Sequence, residues 1–170
     1  MKYSAVLVVV LILLSIAALP GCGSSPAPGS VVGDPVMPPP AEHATPESAA
    51  RAYLDWVSFA YRMVNSEIAT PVMTAEEWVA VDAYIQLNRQ EGRAIEQSLI
   101  SFEVRSQSAE TTSAVLAARE EWLYRYFSVD TLAYESEPIR ASYETTYTLV
   151  LEDRGWLVAD VEAAPLTELE

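Results

Sequence analysis

The feature that most constrains the fold is a change in hydrophobic period near Leu99. Before this point apolar residues recur every three or four positions, as in amphipathic helices. After it they alternate with polar residues, as in half-buried strands. Helices followed by a run of long strands are typical of the α+β class, in which helices cover one face of a curved antiparallel sheet. We therefore expect an α+β domain with N-terminal helices packed on a four-stranded antiparallel sheet.

The first predicted helix begins at Thr45, where a capping hydroxyl, a proline and an acid follow one another. Its apolar stripe ends near Pro71 and predicts one buried face. The stripe consists of Ala50, Tyr53, Leu54, Val57, Tyr61, Val64 and Ile68.

The second predicted helix begins at Thr74, which forms a capping box with Glu77. Gly92 ends or kinks this helix, and residues 93–97 are expected to form a short further helical turn. The residues expected on its buried side are Trp78, Val81, Tyr84 and Ile85.

Four strands are expected in the C-terminal half. The first contains the alternating residues 100–104, and the second, from about residue 112 to 127, is apolar on both faces. The third alternates strictly over residues 139–151. A turn at residues 152–155, with a glycine available for positive φ, joins it to a fourth strand at residues 156–163.

The N-terminus has the order of a bacterial lipoprotein signal. Lys2 supplies a positive charge, and residues 5–14 form an apolar run that is too short to stand alone as a membrane span. Leu19-Pro20-Gly21-Cys22 resembles the lipobox that lipoprotein signal peptidase reads. This resemblance implies that Cys22 becomes the mature N-terminus and carries a diacylglyceryl group and an acyl chain such as palmitate. An uncleaved anchor helix and an ordinary secretory signal are the alternatives.

The chain accordingly divides into four parts. Residues 1–21 are the expected signal peptide, and residues 22–44 are the lipidated cysteine and a tether rich in proline, glycine and serine. Residues 45–165 are the folded domain and residues 166–170 a tail. The single histidine, His43, is expected to be solvated in the tether. Lipid would then hold the protein on the extracytoplasmic face of a bacterial membrane, in the cell envelope.

The charge balance excludes some classes of partner. Lys2 is the only lysine, so the chain after the signal has nine arginines against 24 acidic residues. Such an acidic surface argues against nucleic acid as a partner. A single cysteine allows no internal disulfide, and there is no Cys/His cluster for zinc. We therefore expect no metal and no cofactor.

Three segments of the chain resemble the nuclear transport factor 2-like (NTF2-like) superfamily, and within it the IMS domain of chloroplast-division proteins and their bacterial relatives. They are a long aromatic strand at residues 119–126, a Y-x-x-x-Y-x-L strand at residues 140–150, and a G-W-x-V hairpin at residues 155–161. The resemblance covers Thr45 to Ala164. It implies a cone-shaped domain in which the helices pack inside a strongly bent sheet.

The superfamily includes isomerases, dehydratases and epoxide hydrolases, so the resemblance allows a reaction inside the cone. Without a histidine in the predicted domain, the general base would be a buried carboxylate with a raised pKa. Asp160 is the best candidate because alternation places it on one face with Trp156 and Val158, and Tyr143 is a candidate partner. The candidate pocket residues are Trp122, Tyr124, Tyr126, Tyr143, Tyr147, Trp156 and Asp160.

Tyrosines in strands serve packing more often than catalysis. Glu120 and Glu121 point to opposite faces of a strand, so they cannot act as a carboxylate pair. One is expected to be solvated and the other to pair with an arginine such as Arg140. The sequence thus favours a non-catalytic lipoprotein domain that binds a protein partner or a small apolar ligand. The alternative is a small lyase or isomerase that uses Asp160 and a tyrosine, and a homodimer through the sheet is a third expectation.

Overall fold

A computed structural model describes residues 27–166 of the 170-residue chain. The predicted signal peptide and Cys22 lie outside these residues. Two α-helices, a 3-10 helix and four strands follow one another in the expected α+β order. Their bounds are Pro46–Met63 (α1), Ser66–Val72 (the 3-10 helix), Ala75–Gln90 (α2), Arg93–Ala109 (β1), Ser113–Ser128 (β2), Ile139–Glu152 (β3) and Gly155–Pro165 (β4). No helix within residues 27–166 is long and apolar enough to cross a membrane.

The four strands form one antiparallel sheet in the order β1-β2-β3-β4. Both helices contact β1 and β4, so they lie across the sheet between its outer strands. The predicted fold class is therefore confirmed. Strands β2 and β3 lie within one or two residues of their predicted positions. The predicted turn between β3 and β4 is also present, and Gly155 has a positive φ of 107° there.

Helix α1 begins as the sequence predicts but ends earlier. Thr45 and Ser48 cap its first turn reciprocally, because each backbone N–H donates to the other residue's hydroxyl. Val64 adopts a left-handed conformation at φ 52° and ends the helix. The prediction that α1 continues to Pro71 is wrong: Asn65 caps the 3-10 helix, and Ile68 lies in that second element.

The short helical turn predicted at residues 93–97 is also wrong. Gly92, at φ 74°, ends the helical region, and β1 begins directly at Arg93, paired with Ser128 of β2. Two irregularities in the β1–β2 pairing, near Leu99 and near Val104, interrupt the alternation of β1. The start of this strand is set by pairing with a segment more than thirty residues away, which a local pattern does not contain.

The core fills the space between α1 and the inward face of β2 and β3. Leu116, Tyr147 and Leu149 are fully buried on the sheet, and Ala50 and Ala60 are fully buried on α1. Small alanines let the helix backbone approach the sheet, while each large apolar side chain contributes roughly 1.5–3 kcal/mol on burial. The inside of the cone is therefore closely filled.

The described part of the predicted tether lies against the domain. We call residues 27–43 the arm. Its backbone bonds to the β2–β3 connection through Val32 N–H and the Leu132 carbonyl at 2.8 Å. The indole N–H of Trp56 donates to the Pro39 carbonyl at 3.2 Å. At its end, the His43 carbonyl accepts from the Trp156 N–H at 3.0 Å.

His43 is not solvated as predicted. Its side chain is partly buried, and its Nδ1 lies 3.0 Å from the Trp156 carbonyl oxygen. Gly155 makes this approach possible, because a Cβ at this position would lie 2.5 Å from His43 Cβ. The arm and the β3–β4 hairpin therefore pack as one unit.

Candidate functional site

The sequence predicts a buried carboxylate with a raised pKa at Asp160, but the structure has it at Glu77. It is 6% exposed, and the Tyr53 hydroxyl donates to its Oε1. Burial, opposed by this hydrogen bond and assisted by the negative charge of Asp160, raises the pKa of Glu77 to about 7. Near neutral pH this carboxyl is therefore divided between its protonated and ionised forms.

The capping box predicted at Thr74 forms only in part. The Thr74 hydroxyl accepts from the Glu77 N–H at 3.4 Å, but the Thr74 N–H donates to the Val158 carbonyl at 2.9 Å. The Glu77 side chain is thereby released from its capping role and bonds to Tyr53 inside the cone. This change of partner explains why the sequence alone did not identify Glu77.

A second carboxylate, Glu120, lies in the same interior and is 4% exposed. Its Oε2 accepts from the Trp122 indole N–H at 2.8 Å, and its Oε1 accepts from the Tyr147 hydroxyl. The rings of Tyr53 and Tyr147 meet edge to face with centroids 6.2 Å apart, so the two acid–phenol pairs are neighbours. Burial first, and then these acids, raise the pKa of both phenols well above the ordinary value.

The sequence predicts that one of the adjacent Glu120 and Glu121 pairs with an arginine and that the other is solvated, and only the ion pair is confirmed. Glu121 pairs with Arg140 at 2.5 Å, as predicted. Glu120, however, is not solvated, because it occupies the inward face of β2 and is satisfied there by Trp122 and Tyr147.

Neither of two cavities within residues 27–166 is lined by Glu77, Glu120 or Tyr147. The smaller cavity has a volume of about 10 Å³, which holds at most one water molecule. The acid–phenol pairs therefore form a satisfied polar network within a filled core.

Asp160 lies outside this network. β4 has an irregularity where Thr148 pairs with Asp160 and Leu149 with Val158, so Ala159 is skipped. This extra residue breaks the alternation, leaving Val158 fully buried and Asp160 exposed. The prediction that the two share a face is wrong.

The suggested catalytic partners are also separated. Asp160 pairs with Thr148, whereas Tyr143 pairs with Pro165. Positions 143 and 148 are five residues apart on β3, which at ~3.3 Å per residue is roughly 17 Å. The structure therefore does not bring Asp160 and Tyr143 together.

Three of the predicted pocket tyrosines do cluster. Tyr124 and Tyr126 meet edge to face at 6.0 Å, and burial, followed by the neighbouring Tyr126 and Glu120, raises the pKa of Tyr143. Tyr84 of α2 joins them through a hydrogen bond with Tyr126. Burial and the neighbouring phenols raise the pKa of Tyr124 to about 12, so its hydroxyl stays protonated and can donate a hydrogen bond. Trp156, by contrast, lies at the far end of the sheet beside His43.

An open groove of about 440 Å³ lies between the arm, α1 and β1. Arm residues 34–39 form one wall, and apolar surface comes from Phe59, Leu99 and Trp122. Its volume falls in the range of small-ligand sites. Of the predicted pocket residues, only Trp122 lines it, and the proline-rich arm was missed because its composition resembles that of a linker.

Among the described residues, the groove is lined by three carboxylates and one arginine, Arg62, and two of the carboxylates form no ion pair. Glu96 is satisfied by Arg62, by Arg125 at 3.0 Å and by the Tyr134 hydroxyl at 2.5 Å. Asp34 and Asp55 form no ion pair within residues 27–166. Partial burial raises the pKa of Asp55, and the nearby charge of Arg51 only partly opposes this. A positively charged group would stabilise the ionised form of Asp55.

No group of three or more histidine, cysteine, aspartate or glutamate side chains within residues 27–166 is arranged to hold a metal. The groove therefore presents carboxylates, hydroxyls and apolar surface as its recognition groups.

Neither a family profile nor a curated protein matches the chain. Solved structures do match it. The intermembrane-space region of the chloroplast protein ARC6 superposes with a TM-score of 0.57 at 13% identity, covering 71% of this chain and 94% of that chain. An NTF2-like superfamily protein from Salmonella enterica gives 0.51 at 7% identity, with coverages of 74% and 96%. At these identities the likeness shows the fold alone: the domain has the NTF2-like cone fold.

Proposed function

We propose that the protein is a lipid-anchored extracytoplasmic lipoprotein whose domain is non-catalytic and binds a protein partner or a small apolar ligand in the groove. The observation that carries this proposal is the contrast between the two places where a ligand could sit. The cone interior is filled and its acids are satisfied, whereas the groove outside it is open and has unpaired carboxylates.

The lining of the groove defines the ligand further. Phe59, Leu99 and Trp122 supply apolar contact, and Asp34 and Asp55 favour a positive group next to it. An apolar segment of a partner that includes a lysine or an arginine meets both requirements. A small apolar amine meets them as well.

Binding is favoured over the alternative reaction by the positions of the candidate residues. Asp160 is exposed and lies roughly 17 Å along the sheet from the register of Tyr143. Glu77 has a pKa suited to general base catalysis, but it faces Tyr53 rather than a cavity. A lyase or isomerase would need a site that joins base, donor and substrate.

Photocrosslinking in cells tests the groove. A benzophenone amino acid at Ser98, in the groove, should crosslink to one defined partner or ligand, whereas the same group at the exposed Arg119 on β2 should not. Adding Ser58→Trp, which fills the groove, should abolish the Ser98 crosslink. Equal crosslinking from positions 98 and 119, or a crosslink that survives Ser58→Trp, would contradict a groove site.

Mass spectrometry of membrane-extracted protein tests the anchor separately. We expect a mature chain that begins at Cys22 and carries diacylglyceryl and acyl groups. A mature form without lipid on Cys22 would refute the anchor. Light scattering of the soluble domain at high concentration tests the remaining proposal, a homodimer through the sheet, which a purely monomeric sample would exclude.

A further inference from the structure

Because the arm packs on the domain, most of the predicted tether does not separate the domain from Cys22. Its first contacts lie at the β2–β3 connection, where the Gly29 N–H donates to the Tyr134 carbonyl at 2.8 Å and the Tyr134 N–H donates to the Ser30 carbonyl at 3.0 Å. Only residues 23–26 separate Cys22 from the start of the arm. The five steps from Cys22 to residue 27 span at most about 18 Å. If Cys22 carries lipid, this end of the sheet lies close to the bilayer.

This end of the sheet, which we call the loop end, exposes apolar side chains. Val31 is 69% exposed on the arm, Leu132 is 49% exposed on the β2–β3 connection, and Met63 is 42% exposed at the end of α1. Single exposed apolar residues are ordinary on protein surfaces. Here Val31 pairs with Ala133 and the Val32 N–H donates to the Leu132 carbonyl, so the two exposed residues lie on adjoining backbone segments.

Leu132 is exposed to solvent and has a strained backbone conformation. Leu132 has φ 55°, a left-handed conformation that is uncommon for a bulky residue and costs about 1–2 kcal/mol. The surrounding loop imposes it. The Leu132 N–H donates to the Ser128 carbonyl at 2.9 Å, and the Ser128 hydroxyl accepts from the N–H groups of Asp130 and Thr131. A strained backbone that holds an apolar side chain in solvent points to a surface that contacts something.

We propose that the loop end is a membrane-facing surface, with Val31 and Leu132 inserted at the headgroup boundary of the bilayer that holds Cys22. This inference rests on the lipid anchor in the proposed function. Asp130 and Glu135 also lie near this end, and their charges oppose independent binding to an anionic membrane, whereas Glu91 is paired with Arg93 at 2.5 Å. The anchor offsets this opposition by confining the loop end to the surface at high effective concentration.

The proposal sets the orientation of the whole domain. β2 and β3 run away from the loop end, so the β3–β4 turn lies at the opposite end of the sheet. The groove lies beside α1 between these ends.

Depth-dependent fluorescence quenching tests this orientation in the full, lipidated chain reconstituted in phosphatidylcholine vesicles. An environment-sensitive nitrobenzoxadiazole label is placed at Leu132→Cys or, on a separate element, at Val31→Cys. The matched control is Leu151→Cys, which replaces a leucine of similar exposure, 40%, at the opposite end of β3. Lipids brominated on their acyl chains serve as the quencher. Thermal melting confirms that each variant is folded.

We expect the labels at 132 and 31 to lose about half of their fluorescence, because the side chains lie at the headgroup–acyl boundary, and the label at 151 to lose none. Equal quenching at 132 and 151 in vesicle-bound protein would overturn the membrane-facing surface while leaving the anchor intact. A blue-shifted but unquenched label at 132 would indicate a protein contact and would also overturn it. Protein that fails to float with vesicles would refute the anchor and, with it, this inference.

Discussion

The cone interior and the groove contain the same types of residue, aromatic rings and carboxylates, but they satisfy the carboxylates differently. Inside, Glu77 and Glu120 accept hydrogen bonds from Tyr53, Tyr147 and Trp122. In the groove, Glu96 is paired, whereas Asp55 forms no ion pair within the described chain and has only the nearby charge of Arg51. The difference teaches that a buried acid is not by itself evidence of a site, because hydrogen bonds within the core satisfy it.

The largest expected effect on stability comes from removing one of the hydrogen-bonded acids inside the cone. Glu120→Ala should lower the free energy of unfolding by about 3–5 kcal/mol, because it leaves the Tyr147 hydroxyl and the Trp122 indole N–H buried without an acceptor. Urea denaturation measures the loss. The control is the neighbouring Glu121→Ala, which removes a partly exposed ion pair with Arg140 and should cost less than about 1 kcal/mol. Equal losses in the two variants would show that the Glu120 network does not stabilise the core.

A smaller effect comes from the titration of Glu77. Its pKa is about 7 in the folded protein against an ordinary value near 4.5, so the folded state holds a proton that the unfolded chain releases. Stability from this group is fully present below pH ~4.5 and is lost as the pH rises through about 7. The shift corresponds to about 3 kcal/mol.

Glu77→Gln should remove this dependence while its amide oxygen still accepts from Tyr53. The measurement is the free energy of unfolding at intervals between pH 4.5 and 8, for the natural chain and the variant. If both curves keep the same slope across this window, the raised pKa of Glu77 is refuted.

The smallest effect concerns the end of the arm, where His43 packs against the β3–β4 turn. Gly155→Ala should cost about 2 kcal/mol, because φ 107° disfavours a side chain and the new Cβ would collide with His43. Gly92→Ala is the control: its φ is also positive, at 74°, but no atom lies within 4 Å of the new Cβ, so it should cost only about 1 kcal/mol.

Hydrogen exchange separates the two glycine variants. The Trp156 amide, which donates to the His43 carbonyl, should exchange faster in Gly155→Ala than in Gly92→Ala. Unchanged protection at Trp156 in both variants would show that the arm does not depend on this contact.

Much of the fold was predictable because its signals are local. The cap at Thr45, the alternation of β3 and the glycine of the β3–β4 turn each act within a few residues. The errors arose where a distant segment decides the conformation. The start of β1 depends on pairing with Ser128, and the arm depends on contacts with Trp56 and Trp156.

The candidate site was less predictable for the same reason. Asp160 was proposed from strict alternation, which a single skipped residue at Ala159 overturned. Glu77 was interpreted as a cap because its spacing from Thr74 fits one, yet the Thr74 N–H bonds to Val158 instead. A pattern within one element does not show which partner from another element will compete for the same group.

By itself, the sequence determined the α+β order and the alternation of β3, since both are written in residue types at short spacing, and it predicts a lipoprotein-like N-terminus with Cys22. Only the tertiary structure decided which acids are buried and hydrogen-bonded inside the cone. It also decided that the proline-rich arm lines a groove and that the Leu132 side chain is exposed. The physical reason is that burial and hydrogen-bond partners depend on segments far apart in the chain, which meet only when the sheet and the helices pack together.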